Sequence, residues 1–457
     1  MPRHSHRIYV KLVLLLIILA PHYTSAAQSR TTRLTILTTN DLHGQLTPYR
    51  TAEPGATRSI GGFSRLAAAI ARIKNTSSHP VLCLNSGDTL TGTFFRHFKG
   101  EALLTTLNLI GIDAATLGNH EFDRGTATLA QALAFAEFPI CVSNLQLAHA
   151  SALSRRLQPF RVITKNGLRV GLFGLITPDL PLLCRTGPQV EGINDPVVTA
   201  RRMVALLREQ EQVDLVIALT HLGLAADITL ARLVSGIDVI CGGHSHNLLG
   251  GGKEIIIPHQ NGRSTIILQA GARGTHLGVL NLELSQKTVT SHTWEPLVID
   301  DSINPDHGLE NLIENFRNRL PAATNLTTTL TPLDCRGATL RKQEAAVGNL
   351  VADIVRGYFQ TDIALQNGGG LRGNRVIPAG PVSNADIDTL LPFDNRITIL
   401  QLTGKQIKQV LERSAAFLPQ PFGGFLQVSG LRLTIDPNGT PQTLRRNAHN
   451  NPAGILQ

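Results

Sequence analysis

The stretch Leu117-Gly118-Asn119-His120-Glu121-Phe122-Asp123 joins the end of an apolar, strand-like run to side chains that can bind metal ions or carry protons. Further apolar runs along the chain end in the same kinds of residue. Those endings are Asn40-Asp41-Leu42-His43, Gly87-Asp88, His221 and Gly243-His244-Ser245-His246. In open α/β sheets, ligands bind beyond the carboxyl ends of the strands. The repeated pattern therefore predicts α/β sheets whose strand ends share one polar site.

Residues 34–300 alternate strand-like and helix-like segments, which predicts a layered α/β domain with helices packed on sheets. The predicted strands are Leu34 to Leu37, Val81 to Leu84, Ala114 to Leu117, Leu168 to Leu175, Val213 to Leu219, Ile237 to Cys241 and Ile266 to Leu268. The predicted helices are Gly62 to Ile73, Glu101 to Ile110 and Val197 to Glu209.

The amino-acid composition of the chain changes near residue 300. Residues 301–326 are polar, with a helical spacing of apolar residues that Pro321 ends, and predict a linker helix. A second domain is predicted over residues 327–457. Its predicted helices are Ala345 to Tyr358 and Gly404 to Arg413, and its predicted strands are Ile363 to Gln366 and Ile397 to Leu402.

Length and composition narrow the function classes. A chain of 457 residues is too long for one ordinary core, so two domains are expected. The net charge of +9 suits phosphate ligands, although a solvated basic surface also explains it. Aromatic residues make up 4% of the chain, and we find no run of five basic residues. Both features argue against a nucleic-acid partner.

The first 27 residues are typical of a secretory signal peptide. Basic residues precede the apolar run Leu12 to Ala20, and Ser25-Ala26-Ala27 forms a small-residue cleavage pattern. The apolar run is too short to cross a bilayer. We therefore predict a secreted or periplasmic protein with no stable membrane span once the signal is removed.

The strand-end residues are the ligands that divalent ions prefer, because carboxylate, amide and imidazole groups bind such ions well. The spacing of Asp41 and His43 lets both side chains of a turning segment face one ion. Asp88 follows Gly87, which permits a tight turn, and a carboxylate there can bridge two ions. Each motif alone is weak evidence for a metal site, but all of them together indicate a site for two divalent ions.

These motifs resemble those of the secreted 5′-nucleotidase family, whose catalytic half is a calcineurin-like metallophosphoesterase domain. The stretches that carry the resemblance are Thr39-Asn-Asp-Leu-His-Gly, Asn85-Ser-Gly-Asp, Leu117-Gly-Asn-His-Glu-Phe-Asp and Gly242-Gly-His-Ser-His. The resemblance extends from Leu34 to about Leu433. It implies a four-layer αββα catalytic domain, residues 28–300, followed by a smaller α+β substrate-binding domain.

The resemblance also implies roles for single residues. One ion, Zn, Mn, Co or similar, would be held by Asp41, His43 and His246, of which His246 stands at the position where family members vary. The other ion would be held by Asn119, His221 and His244, with Asp88 as the bridge. His120 would stabilise the transferring phosphoryl group and Asp123 would orient His120, which suits a reaction that needs positive charge near the phosphoryl oxygens. Glu121 is interpreted as supporting charge beside the site.

Substrate-binding residues are implied in the second domain. The loop Asn367-Gly368-Gly369-Gly370-Leu371-Arg372 resembles the family's nucleotide-binding loop, in which Asn367 and Arg372 would contact the nucleoside. Arg341 matches another family segment near the ligand. Phe393 matches the segment that carries an aromatic plate for the base, although a Phe in such a run could equally be core.

The chain departs from the family at its C-terminal end. Family members continue into further strands and a second aromatic near a Gly-Gly-Asp-Gly turn, whereas this sequence stops at Gln457. We therefore expect an incomplete second domain without the second plate of a base sandwich.

The predicted function is hydrolysis of nucleoside 5′-monophosphates, and of nucleotide sugars as a further option, by in-line attack of a metal-activated hydroxide. The alternative from the same superfamily is a 2′,3′-cyclic-nucleotide phosphodiesterase with 3′-nucleotidase activity, which the motifs do not separate from the first. A thiosulfohydrolase is less favoured because the loop from Asn367 to Arg372 fits a nucleotide. A third alternative is a truncated relative that binds metal or ligand without turnover.

Overall fold

The computed structural model describes residues 31–50, 58–184, 186–393, 395–436 and 439. The predicted signal peptide, residues 1–27, lies outside them. Within these ranges, every helix is too short or too polar to cross a membrane.

Two mixed sheets form the first domain. In spatial order, the first contains Thr288–Val298, His276–Ser285, Thr32–Thr39, Val81–Asn85 and Ala114–Ala115. The second contains Ile255–Pro258, Ser264–Leu268, Val239–Cys241, Leu215–His221, Leu168–Ile176 and Phe160–Lys165. The strands that carry the polar motifs run parallel to their motif-bearing neighbours, so their carboxyl ends meet at one edge of each sheet. Two short antiparallel pairs lie outside the sheets: Tyr49–Arg50 with Ser59–Ile60, and Leu145–Leu147 with Val190–Ile193.

The predicted four-layer order is confirmed by the way side chains divide between the cores. Alternate residues of one strand face opposite layers. Ile36 packs with Leu82 and Ile217 between the two sheets. Leu37 packs with helix residues on the outer face of the first sheet. Helices on the outer face of the second sheet complete the fourth layer.

Three helices of the first domain were predicted, and they lie close to their predicted bounds, as Phe63–Thr76, Glu101–Ile110 and Pro196–Ala205. Leu206–Gln210 continues the third of these as a wider turn. Further helices were not predicted from the sequence, and these are Gly92–Phe98, Gly125–Ala132, Leu180–Leu183 and Leu224–Leu233. The helix predicted as a linker spans His307–Asn318. It does not stand free, because Leu309, Ile313 and Phe316 are buried in the outer core of the first sheet.

The second domain is built from small antiparallel pairs and helices. The pairs are Asn325–Thr329 with Gly380–Ser383, Leu333–Asp334 with Val376–Ile377, and Ala364–Asn367 with Leu426–Ser429. The helices are Gly337–Leu340, Ala346–Phe359, Asn384–Leu390 and Gly404–Ala415. Leu340, Val347 and Leu371 lie in its core.

One predicted strand of this domain is wrong. Residues 397–402 form no strand, and Ile399 and Leu400 are 61% and 64% exposed. A strand needs a neighbouring backbone to satisfy its N–H and C=O groups, and no strand among the described residues pairs with this one. The alternation of apolar residues in this segment is typical of a strand, but a strand also needs a neighbouring strand to pair with.

The two domains meet beside the motif-bearing strand ends. Asp388, on the second domain, pairs with Arg96 and lies 3.7 Å from His97 Nε2 on the helix Gly92–Phe98. Arg96 also donates to the carbonyl of Leu391 at 3.2 Å. These contacts bring the loop that carries Phe393 over the first domain.

Candidate metal and phosphoester site

The candidate ligands stand in loops whose backbone is unusual. Asp41, His43, Asp88, His244 and His246 all adopt positive φ, between 49° and 78°. Residues other than glycine avoid this region because Cβ crowds the backbone, at a cost on the order of 1 kcal/mol each. Tight left-handed turns let consecutive motifs aim several side chains at one point, and such strain is concentrated at functional sites.

Asp41, His43, Asp88 and His246 form one cluster. Their ligand atoms all lie within 4.8 Å of one another. His43 Nε2 lies 2.9 Å from His246 Nε2, and His246 Nε2 lies 3.3 Å from Asp41 Oδ1. Two imidazole nitrogens beside two carboxylates form a donor set that a divalent cation fits.

A second group continues from Asp88. His221 Nε2 is buried and lies 3.1 Å from Asp88 Oδ2. His221 Nδ1 donates to the carbonyl of Ser86 at 2.7 Å, which orients the ring so that Nε2 faces Asp88. His244 Nδ1 lies 2.9 Å from Asn119 Oδ1. The chemistry of this group also fits a cation, with Asp88 between the two groups.

The electrostatics of the protein without cations agree with that fit. Burial acts to lower the pKa of His221, but the charge and hydrogen bond of Asp88 and the charge of Asp41 outweigh it and raise the pKa to about 10. Burial and the charge of His221 lower the pKa of His244 to about 4. The carboxylates therefore attract positive charge, while His244 stays neutral and able to donate a lone pair.

His120 sits at the open side of the cluster. Its Nδ1 lies 2.8 Å from Asp123 Oδ2, and its backbone N–H donates to Asp88 Oδ1 at 2.9 Å. Burial acts to lower the pKa of His120, but the charge of Asp88 and the hydrogen bond to Asp123 raise it overall. A protonated imidazole held in this way can stabilise negative charge beside Asp88.

Glu121 has a larger structural role than the sequence analysis predicted. Its buried carboxylate accepts hydrogen bonds from the backbone N–H groups of Asp88, Thr89, Leu90 and Gly118, at 2.6 to 3.0 Å. Burial and the nearby charge of Asp88 raise its pKa. Glu121 therefore ties the loop after Val81–Asn85 to the loop that carries His120.

Asn40 was not predicted as a site residue. Its Nδ2 donates to Asp41 Oδ2 and to the carbonyl of Gly271, both at 2.6 Å, while its Oδ1 accepts from the N–H of Ala270 at 2.9 Å. It therefore orients Asp41 and joins two loops. Asn40 directly precedes Asp41 in the first motif, and this position is the sequence feature that could have identified it as a site residue.

Comparisons with known proteins agree with this geometry. The model of calcineurin-like phosphoesterases matches residues 34–248, and that of the 5′-nucleotidase C-terminal domain matches residues 323–449. The 5′-nucleotidase of Bos taurus is 31% identical over 448 residues, which cover 90% of this chain and 77% of the bovine protein. The chain belongs to the 5′-nucleotidase family. It is therefore a metal-dependent phosphoester hydrolase.

Two further relatives support the assignment. The 5′-nucleotidase of Homo sapiens is 31% identical over 89% of this chain and 76% of its own. The crystal structure of the 5′-nucleotidase precursor from Thermus thermophilus superposes with a TM-score of 0.80 at 32% identity, covering 88% of this chain and 82% of that chain.

Side chains of the second domain reach the candidate site. One terminal nitrogen of Arg372 lies 3.2 Å from His120 Nε2. The guanidinium of Arg372 lies 5.1 Å from the ring centre of Phe393, whose ring stacks on His120. Phe393 thus contacts the candidate site and lies outside the hydrophobic core clusters of the described residues.

The remaining sequence-predicted residues lie farther from the cluster. Asn367 is exposed on the wall of a cavity of about 920 Å³ that Phe393, Arg372 and His120 also line. Arg341 is half-buried, and its buried Nε has no hydrogen-bonding partner. Among the described residues, Phe422 stacks on Phe417 and not on Phe393.

Proposed function

We propose that this chain hydrolyses nucleoside 5′-monophosphates to nucleoside and phosphate at a site for two divalent cations, after export through a signal peptide at residues 1–27. The carrying observation is that Arg372 and Phe393 of the second domain touch His120, which bonds Asp88 in the first. Groups suited to a nucleoside thus adjoin groups suited to a phosphoryl reaction.

The ligand sets of the proposal follow the two groups of donors. Asp41, His43 and His246 would hold one cation. Asn119, His221 and His244 would hold the other, and the carboxylate of Asp88 would be shared by both. Asp88 lies at hydrogen-bond distance from His221 and within the 4.8 Å cluster of the first set, which supports its role as the bridge.

The chain's own residues then have distinct tasks. When bound, the two cations polarise the phosphoryl group and lower the pKa of a water molecule. His120 presents Nε2 to the oxygens of the transferring group and stabilises their negative charge. Asp123 holds the His120 ring through Nδ1 and favours its protonated form. Glu121 holds the loop that carries Asp88 against the loop that carries His120.

The second domain selects the nucleotide. Phe393 offers an apolar ring face to the base, and Arg372 lies beside both that ring and His120 Nε2. Asn367 lines the same cavity and can bond the nucleoside, and Arg341 adds positive charge. A base, a sugar and a phosphate would thus lie in sequence from Phe393 towards Asp88.

The test is a substrate panel with the full chain loaded with Zn²⁺, Mn²⁺ or Co²⁺. We expect the highest kcat/KM for AMP among AMP, 3′-AMP, 2′,3′-cyclic AMP and UDP-glucose. A higher kcat/KM for the cyclic nucleotide would replace the proposal by the phosphodiesterase alternative. Metal binding without turnover of any substrate would indicate a non-catalytic relative. Amino-terminal sequencing of exported protein should begin at Gln28.

A further inference from the structure

The loop of residues 243–247 carries His244 of one proposed ligand set and His246 of the other. The loop forms neither helix nor strand, and both histidines have positive φ, at 78° and 58°. A backbone in this conformation persists only where the surrounding structure fixes it. Contacts from outside the loop must therefore determine where the two imidazole rings point.

The side chain of Gln269 provides such contacts. Gln269 directly follows the strand Ser264–Leu268 and is fully buried. Its Nε2 donates to the carbonyl of Gly243 at 3.0 Å, and its Oε1 accepts from the backbone N–H of Asn247 at 2.9 Å. One amide group therefore bonds the residues on either side of residues 244–246 and fixes the span between them.

A third hydrogen bond joins the middle of the loop to the same amide. The hydroxyl of Ser245 donates to Gln269 Oε1 at 3.2 Å and accepts from the backbone N–H of Leu224 at 3.0 Å. Leu224 is the first residue of the helix Leu224–Leu233, which begins shortly after His221. The network therefore also connects the loop to the segment that follows another proposed ligand.

The backbone next to Gln269 holds the other ligand-bearing loop. The N–H of Ala270 donates to Asn40 Oδ1 at 2.9 Å, and the carbonyl of Gly271 accepts from Asn40 Nδ2 at 2.6 Å. Asn40 Nδ2 also donates to Asp41 Oδ2 at 2.6 Å. The short segment that begins with Gln269 therefore contacts both loops, although it carries no proposed ligand itself.

Another buried glutamine allows a matched comparison. Gln427, in the second domain, is 2% exposed. Its Nε2 donates to the carbonyls of Leu340 and Gln343 at 3.1 and 2.8 Å, and its Oε1 accepts from the N–H of Ala345 at 3.0 Å. Both glutamines thus satisfy three groups of a loop. The bonds of Gln269 differ because they enclose proposed cation ligands.

We propose that Gln269 is a positioning residue whose amide fixes the separation of His244 and His246, and with it the geometry of both cation sites. Its side-chain hydrogen bonds go to the loop backbone and to Ser245, so Gln269 acts through the loop. Groups that orient metal ligands in this way contribute about tenfold to a hundredfold to metal affinity. The inference rests on the ligand sets of the proposed function.

The test is a titration of the metal-free full chain with Co²⁺, followed by visible absorption, which reports the coordination geometry of the bound ion. Gln269→Met keeps the approximate volume of the side chain without its hydrogen bonds. We therefore expect both Co²⁺ binding steps to weaken about tenfold or more and the absorption band to change.

The matched control is Gln427→Met. It should lower the thermal midpoint of the metal-free protein about as much as Gln269→Met does, because both remove three buried hydrogen bonds. It should keep the Co²⁺ affinity and the absorption spectrum of the wild type. Wild-type Co²⁺ affinity in Gln269→Met, or an equal loss of affinity in the two variants, would overturn the proposal.

Gln269→Glu keeps the proposal testable if the Met variant folds poorly. Its ionised carboxylate can still accept from Asn247 but cannot donate to Gly243. An added negative charge near the site would by itself strengthen cation binding. A loss of Co²⁺ affinity of about threefold or more would therefore come from the missing hydrogen bond. Unchanged or tighter binding in this variant would reject the role of Gln269.

The wild-type titration separates this inference from the proposed function. Binding of fewer than two Co²⁺ ions by the wild type would reject the two-cation site, and the affinity of Gln269→Met for a single remaining ion would still judge the positioning role. A wild type that binds no Co²⁺ would reject both. Two ions bound equally well by the wild type and Gln269→Met would reject the positioning role alone.

Discussion

The ring of Phe393 stacks on the imidazole ring of His120, with centroids 5.1 Å apart and planes inclined by 10°. The two residues belong to different domains and are separated by more than half of the chain. A nucleotide base and His120 cannot occupy the same face of Phe393 at once. Substrate binding must therefore displace this contact, or use the opposite face of the ring.

Phe393→Ala should mainly raise KM. Stacking of a base on one aromatic ring is worth about 1–3 kcal/mol, so KM for AMP should rise about tenfold or more while kcat falls little. Phe417→Ala is the matched control, because Phe417 stacks on Phe422 away from the cluster. A large fall in kcat with unchanged KM would show that Phe393 acts on His120 and not on the base.

Asp88→Asn should abolish activity. The change keeps the shape of the side chain but removes the charge that His221 and His120 face. We expect kcat/KM to fall about a thousandfold or more, with loss of bound metal measured by elemental analysis. Asp179→Asn, at an exposed helix start whose side chain makes no capping bond, is the control. Full activity with full metal content in Asp88→Asn would reject the bridging role.

Gly118→Ala should disrupt the same centre through sterics alone. A Cβ at Gly118 would overlap Asp88 Oδ1 and lie 2.7 Å from His221 Cε1. We expect metal affinity to fall about a hundredfold, measured by competition with a chelating dye. Gly357→Ala, in a helix with open space around the new methyl group, should be neutral or stabilising by about 0.5–1 kcal/mol. Unchanged metal affinity in Gly118→Ala would contradict the close approach of Gly118 to Asp88 and His221.

Asp227 should make stability depend on pH. Burial raises the pKa of this carboxyl to about 7, against the lowering effects of Thr220, Gln269 and His221. The folded state therefore holds a proton that the unfolded state releases near pH 4, so stability should fall as pH rises from about 4 to about 7 and then level off. Asp227→Asn should remove this component and stabilise the protein at pH 8 by on the order of 1–4 kcal/mol, with little effect at pH 4.

Denaturant unfolding of both proteins at pH 4, 6 and 8 checks that expectation. The stability difference between Asp227→Asn and wild type should grow with pH. A difference independent of pH would mean that Asp227 is ionised, or neutral, throughout this range in the folded protein. Asp195→Asn, at an exposed helix cap, serves as a control for the substitution itself.

The strand-end motifs and three helices of the first domain could be predicted from the sequence because each depends on local order. An apolar run followed by Asp88 or His221 signals a strand end without knowledge of its neighbours, and a helix such as Glu101–Ile110 carries its own period. Residues 397–402 show the limit of that reasoning, since their alternation was correct for a strand whose partner is missing among the described residues.

By itself, the sequence determined the α/β class, the order of strand ends and the residue types that gather at them. Tertiary structure alone decided that Glu121 ties two loops and that Phe393 stacks on His120. The reason is physical. Side-chain type and local periodicity are properties of short segments and can be seen in the sequence. The contacts named above join residues that are far apart in the sequence, so they depend on how the layers of the fold pack together.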